Sequence, residues 1–481
     1  MKTQEQQRPF GIRDCIAYAA GDFGCNMSFS LKGTVQTFWL VYMAMETGLL
    51  SGLLLLVQIW DAVNDPLIGS MIDADRREYK MGKFKTYILI GAIGLLVAGA
   101  LVFIPAPNAS LIAKCLLFIG GYVIWDACYT VANVPYGSRL SLVTEDAGER
   151  SQLSTWRSVG SMLGNMVPMA ILPMLIWKKE VDAAGNPIIN PETGVQVETL
   201  LGDRVFFAAL IMGVLGFISF LFMLKTITIR ADEQSVKAND SEKFNVLQAF
   251  KNFMKNRAAI GATLAAMAMF LGMNSATTAT TIMFATYFGQ ASMSGIVALV
   301  GFLPMFFFMP FIKKIVNKHG KKESSSVGAL FSVAGGLLMF IFPLIDNKGT
   351  ALLVYLAALV IFGLGMGIYT CVSWALMADA IDYNEWKTGK REEGTVYSLH
   401  SFFRKLAQGI GPSMVLLLMG ALGYVSELGT EGQSAATAYN MCWLVAALYL
   451  FSAVVMFVSL KFIYNLDKKT MEEMNVALKK Q

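Results

Sequence analysis

Twelve long apolar runs separated by short polar breaks constrain this chain more than any other feature. Inside a bilayer the backbone must satisfy its own N–H and C=O groups, so only helices and closed barrels cross it. A stretch of about 20 apolar residues without alternation is a helix. We place spans near 14–45, 50–72, 86–105, 111–140, 153–177, 204–227, 258–288, 294–316, 326–345, 350–381, 396–423 and 438–465. Composition agrees: 55% of the 481 residues are apolar and 15% are charged, against roughly 45–50% and 25% in soluble domains. The segment Met1 to Phe10 is polar and lacks the apolar core of a signal peptide, so the first span is expected to stay in the mature chain.

The net charge of +5 is mild and spread over many loops, which excludes a nucleic-acid partner. Cys15, Cys25, Cys115, Cys128, Cys371 and Cys442 are far apart, and the chain has only 2 histidines. Neither a disulfide framework nor a zinc site is supported.

Basic residues set the orientation. The breaks holding Arg76, Arg77, Lys80, Lys83 and Lys85, then Lys313 to Lys322, then Lys387, Lys390 and Arg391, alternate with breaks that hold none, such as 46–52 and 426–436. The basic breaks are expected to be cytoplasmic, and both termini with them, in a cell (inner) membrane. The charged segment 228–257 falls where a linker between two six-helix halves belongs, giving an N-terminal half at 1–227, a C-terminal half at 258–465 and a cytoplasmic tail at 466–481. The segment 178–203 is an outside loop with room for a hairpin or cap. The glycine and lysine pattern after the second span echoes weakly after the eighth, and parallel repeats of this kind are the layout of major facilitator transporters. The fold class expected is all-α.

A charge at mid-bilayer costs roughly 2.5–3.5 kcal/mol on insertion scales, so charged residues inside spans are the candidates for function. In the second span Asp61, Asn64 and Asp65 lie at i, i+3 and i+4 and share one face. Two carboxylates one turn apart repel unless a proton or cation sits between them, and the oxygen-rich set suits sodium. The fourth span carries a polar stripe at Asp126, Thr130, Asn133 and Gly137. Thr130 can lend an oxygen to the cation, whereas Asp126 and Asn133 can meet a sugar hydroxyl. In the first span Asp22 and Asn26 lie one turn apart; Lys32 either contacts substrate or extends outward along its stem. Arg157 in the fifth span needs an acidic partner. Arg404 and Lys405 in the eleventh diverge by about 100°, so one is expected to face the cavity and the other a carboxylate such as Asp379 or Asp382.

These residues carry a resemblance. Trp60-Asp61-Ala62-Val63-Asn64-Asp65-Pro66, Gly82-Lys83-Phe84-Lys85, Asn133-Val134-Pro135-Tyr136, the Asp379 to Arg391 block and Lys405 resemble the signature blocks of the glycoside, pentoside and hexuronide:cation symporters, a branch of the major facilitator superfamily. The resemblance implies a cation site at Asp61, Asn64, Asp65 and Thr130, with sodium as the only metal, and a coupling role for Lys405 beside it. Melibiose permease, a member of that family, has aspartates where this chain has Asn26 and Asn133 and a tryptophan where it has Gly137, so galactoside specificity does not carry over. The stretches from Ser373 to Asp379 and from Glu393 to Lys405 resemble the glucuronide permease branch more closely, which implies an acidic sugar.

The expectation is therefore a sodium- or proton-coupled sugar symporter of twelve spans, working by alternating access, with the sugar held between the halves against Asp22, Asn26, Asp126, Asn133, Arg157, Trp374 and Lys405. Asp73, Arg76, Arg77, Asp379 and Arg404 are expected to couple or gate. The partners implied are a small-molecule sugar, the coupling ion and the bilayer; no cofactor is implied, and one chain is expected to suffice. Alternatives are a sodium-coupled lysophospholipid carrier of the same superfamily and a non-transporting membrane enzyme or sensor; no HExxH motif or soluble catalytic module supports the latter.

Overall fold

Apolarity makes the runs helical, and local polar groups and glycines mark some of their ends. The computed structural model describes residues 8–75, 77–138, 143–144, 147–230, 246–273, 275–308, 310–389 and 393–478, and every one of the twelve apolar runs is helical in it. Among the described residues, eight helices are long and apolar enough to cross a membrane by themselves. Shorter apolar stretches lie at Thr47–Asp61 and Ala291–Phe307. The chain divides into two compact units, Met1–Lys178 with Leu200–Ser241, and Lys179–Thr199 with Glu242–Gln481.

In the first unit the opening span is not one helix. α1 (Ile12–Phe29) stops where the Ser30 hydroxyl donates to the Met27 carbonyl at 3.0 Å, and the chain resumes as α2 (Lys32–Thr37), which widens into a π turn at Phe38–Tyr42. A side-chain hydroxyl that takes a backbone carbonyl competes with the helix ladder, and the break re-aims Lys32. There follow α3 (Thr47–Ala74), α4 (Lys83–Leu101), α5 (Leu111–Ser138), α6 (Ala147–Ile176) and, after the outer loop, α7 (Gly202–Thr226). α1 packs on α6 and α7, α4 on α5, and α3 on α5. Close approach of α1 and α6 requires Gly160, where a Cβ would lie 2.1 Å from the Ala19 carbonyl oxygen. Small residues permit such approach in helix bundles that lack a hydrophobic driving force between their members.

In the second unit, α8 (Val246–Lys255) precedes α9 (Arg257–Met273), α10 (Ala276–Met283), α11 (Ser294–Phe308) and α12 (Ile312–His319), which lead to α13 (Lys321–Leu338), α14 (Lys348–Thr388), α15 (Glu393–Ala421), α16 (Ala435–Val458) and α17 (Lys468–Ala477). α13 packs on α14 and α16, and α9 on α15 and α16. At 41 residues α14 outruns a bilayer, since 1.5 Å per residue carries it about 60 Å. It ends at Gly389, whose φ of +69° favours glycine. The loop at 178–203 is a hairpin: β1 (Trp177–Lys179) and β2 (Glu198–Leu200) pair at its base, with bridges Val181 to Pro187 and Ile189 to Gln196 above.

Candidate functional site

One polar cluster of the first unit gathers around Asn64. α3 presents Asp61 and Asn64 from one face, and α5 presents Asp126 and Thr130 one turn apart. Asn64 Nδ2 donates to Asp126 Oδ2 at 3.1 Å and to Thr130 Oγ1 at 3.0 Å. Lys32 at the start of α2 brings its Nζ to 3.8 Å from Asp61 Oδ2 and 3.8 Å from Asp126 Oδ1. The ammonium also lies 5.0 Å from the Phe29 ring centroid and 5.8 Å from that of Tyr122. Asn64 is fully buried, yet among the described residues its Oδ1 has no hydrogen-bond partner. A buried carbonyl oxygen left unmatched costs free energy unless something electropositive meets it. Chemically, two carboxylates, an amide oxygen and a hydroxyl form a hard-oxygen set fit for a monovalent cation. The side chain of Asp65 lies outside the described residues.

Asp126 belongs to this cluster. It meets Asn64 and Lys32, because that part of α5 packs on α3. Lys32 turns its ammonium to the carboxylates of Asp61 and Asp126.

A second cluster lies along α1, α5 and α6. Arg157 Nε donates to Asp22 Oδ1 at 3.1 Å, supplying the acidic partner that an arginine in a span requires. Asn26 Nδ2 donates to the Asp22 carbonyl at 2.8 Å and to Asp22 Oδ2 at 3.1 Å, and Asn165 Nδ2 donates to Asn26 Oδ1 at 2.7 Å. Asn133 receives the Cys25 thiol at 3.9 Å. The Arg157 guanidinium lies 5.2 Å from the Tyr136 ring, which stacks on Tyr18 at 4.8 Å. Reciprocal bonds fix that stack: each tyrosine hydroxyl donates to the other's carbonyl, at 2.7 and 3.2 Å. Asp22 is nearly buried, whereas Arg157 has a side-chain exposure of 36% and offers a cationic face. A Cβ at Gly137 would meet nothing within 4 Å, so that position of the stripe borders open space.

In the second unit Trp374 is half exposed and stacks under Arg404, 4.6 Å from guanidinium carbon to ring centroid, with Phe270 at 5.2 Å on the same cation. His400 lies edge-on to Trp374 and its Nδ1 shares a hydrogen bond with Thr263 Oγ1 at 2.8 Å. Together with Met269 and Tyr369 these residues line a cavity of about 110 Å³. That is smaller than the ~150 Å³ void that takes a benzene ring. Lys405 follows Arg404 on α15 and is half buried. Asp379, one of the two carboxylates expected to meet a cation of α15, meets Lys321 at 2.6 and 2.8 Å. α14 packs on α13, which carries Lys321 at its first turn.

The loop between α3 and α4 is organised by Asp75. It accepts from the backbone N–H of Arg77 at 3.0 Å, from Tyr79 Oη at 2.5 Å and from Tyr87 Oη at 2.6 Å, while Lys83 Nζ donates to its carbonyl at 2.6 Å. The Tyr79 and Tyr87 hydroxyls hold the carboxyl down to about 2. The side chain of Asp73 and the whole of Arg76 lie outside the described residues.

Comparison with known proteins places the chain. The family model for MFS/sugar transport proteins matches residues 17–468. The chain belongs to this family. An uncharacterized symporter of Bacillus subtilis (strain 168) is 30% identical over 475 residues, covering 97% of this chain and 94% of the relative. A glucuronide carrier protein homolog of Escherichia coli (strain K12) is 27% identical, covering 86% of this chain and 85% of the relative. Among solved structures, a D-xylose-proton symporter matches with a TM-score of 0.59 at 14% identity, covering 94% of this chain and 97% of that one, and this likeness shows the fold.

As a sugar transport protein of the major facilitator superfamily the chain is a multi-pass, all-α membrane transporter and not an enzyme. Asn165, Lys321 and Asp75 escaped sequence reading. Asn165 had a signal, an amide in an apolar helix four residues after Ser161, whose carbonyl it also reaches. Lys321 and Asp379 lie 58 residues apart and had none.

Proposed function

We propose that the chain is a cation-coupled symporter of a sugar or glycoside. The observation that carries this reading is the position of the two clusters on shared helices: α5 carries Asp126 and Thr130 of the oxygen-rich group and, one turn further, Asn133 of the Asp22–Arg157 group. An ion drawn onto Asp61, Asn64 and Thr130, with Asp65 joining them, sets the orientation of α5 and thereby the sugar contacts. In the second unit Trp374 offers an apolar ring face of the kind that packs on sugar C–H groups, and Lys405 and Arg404 share the adjacent helix. Alternating access follows for two six-helix halves joined by 228–257, in a cell membrane with both termini cytoplasmic. In this reading Asp73, Arg76, Arg77 and Asp379 gate, through charge pairs that break and re-form as such halves rock.

For substrate class we favour an acidic sugar of the hexuronide type. Asp22 engages Arg157 through Nε, which leaves the Nη atoms to a ligand carboxylate, and charge-assisted bonds of this kind are roughly twice as strong as neutral ones. The glucuronide carrier homolog among the relatives supports the same class. Uptake of labelled glucuronide into proteoliposomes, with sodium, with a proton gradient and with neither, tests the reading. Expected is uptake stimulated by one cation and lost in Asp61→Asn. Uptake indifferent to both cations, or transport of lysophospholipid instead of sugar, refutes it.

A further inference from the structure

We propose that Lys32 is a tethered cation that shares the coupling-ion cluster and sets its affinity for sodium. The inference rests on the reading of Asp61, Asn64 and Thr130 as ion ligands, and concerns a residue to which that reading gives no role. The helix break at Ser30 delivers Lys32 to the cluster, and the neighbouring Leu31 is buried. The ammonium then lies at equal distances of 3.8 Å from Asp61 and Asp126, whose side chains are 17% and 1% exposed. A lysine seeking the membrane surface would turn its head away from such carboxylates.

Two features mark this contact as a replaceable one. First, 3.8 Å exceeds hydrogen-bond range, so the ammonium makes no directed bond to either carboxylate and meets them by charge, with the faces of Phe29 and Tyr122 beside it. Its four-carbon stem lets the head shift while the backbone stays put. Second, an oriented oxygen is unmatched among the described residues: Asn64 Nδ2 serves Asp126 and Thr130, while the buried Oδ1 has no hydrogen-bond partner there. Lys32 neutralises part of the acidic charge without taking the amide oxygen, so a small ion entering at Oδ1 competes with the ammonium for Asp61 and Asp126.

Removing the tethered charge should therefore tighten sodium. A unit charge a few ångströms from the ion, in a partly hydrated cleft, corresponds to about a tenfold change in affinity after screening. Purified full-length protein in nanodiscs is titrated with sodium chloride against choline chloride at constant ionic strength, and the unfolding temperature is followed, since a ligand that binds the folded state raises it. Lys32→Gln is expected to reach half-maximal stabilisation at about tenfold lower sodium than the parent, and Lys32→Arg to keep the parent's weaker value. Equal or weaker sodium dependence in Lys32→Gln overturns the proposal, as does the absence of any sodium effect in parent and variant alike. Should Lys32→Gln fail to fold, Phe29→Leu decides: it keeps every charge and loosens the ammonium, so sodium should tighten about two- to threefold, and an unchanged value overturns the proposal. Because this readout needs no sugar, a tighter Lys32→Gln in a protein that takes up no glycoside upholds the ion competition and removes only the sugar-symport reading.

Discussion

Asp14 and Arg230, 216 residues apart, meet at 2.9 Å around a carboxylate that is fully buried. Asp14 also takes Arg8 at 2.6 Å and the backbone N–H of Thr228 at 3.3 Å, while Arg230 reaches the carbonyls of Arg8 and Val143. The knot ties the segment before α1 to the segment after α7. Breaking a buried pair by removing one partner leaves uncompensated charge and costs about 3–5 kcal/mol. Asp14→Ala should accordingly lower the unfolding temperature of the purified protein far more than a change at an exposed acid of the outer loop such as Asp182. An equal loss in both would show that the knot contributes nothing special.

The outer hairpin should be held by Glu198. Its carboxylate is buried and accepts the N–H and hydroxyl of Ser292 at 3.2 and 3.0 Å, and its carbonyl accepts Thr430 Oγ1 at 2.9 Å. Asn190 Nδ2 donates to the Glu431 carbonyl at 2.6 Å, and Lys348 Nζ to that of Thr193 at 2.9 Å. Glu198→Ala removes the charged member of this set and leaves the Ser292 donors without their acceptor. We expect faster cleavage at the exposed tip, Asp182 to Gly185, by an added protease, with the remaining helices intact. A cleavage rate unchanged from the parent would mean that the other bonds suffice.

Acid should loosen the α3–α4 loop only far below neutrality. Two tyrosine hydroxyls hold the Asp75 carboxyl at about 2 against its ordinary 3.8. For a group whose folded value is depressed, the stabilisation is present above the unfolded value and lost as pH falls through the folded one. The window is thus from about 4 down to about 2. Tyr87→Phe removes one donor and should move the Asp75 titration upward, a shift visible in the carboxyl carbon resonance of labelled protein. No movement would assign the depression to Tyr79 and the Arg77 N–H alone.

How much of this was legible beforehand differs from residue to residue. Asp61 and Asn64 announce their shared face through spacing alone, because a helix puts i and i+3 together. The stripe Asp126, Thr130, Asn133 was equally visible, but its division was not: Asp126 and Thr130 meet α3 while Asn133 meets α1, and only the packing of three helices decides that. The break at Ser30 depended on one hydroxyl taking one carbonyl. Long-range pairs such as Asp14 with Arg230 and Lys321 with Asp379 leave no periodic trace, since each partner obeys its own local pattern.

Arg157 carries the sharpest prediction about cargo. Its Nε is committed to Asp22, its plane lies against Tyr136, and about a third of the side chain is exposed. A lysine in its place can still pair with Asp22, being a point charge on a flexible stem, but it cannot both hold that carboxylate and present a second, planar pair of donors. Arg157→Lys should therefore spare the fold and neutral-sugar uptake while weakening an acidic sugar. A lost bidentate, charge-assisted contact is expected to cost about tenfold in competition by glucuronide, against little change for the matching glucoside. The measurement is inhibition of labelled-substrate uptake by the two sugars in parent and variant. If both weaken together, Arg157 acts only by positioning Asp22 and Asn26. If neither changes, the guanidinium is not a sugar contact, and recognition of the acid must fall to the cations of α15.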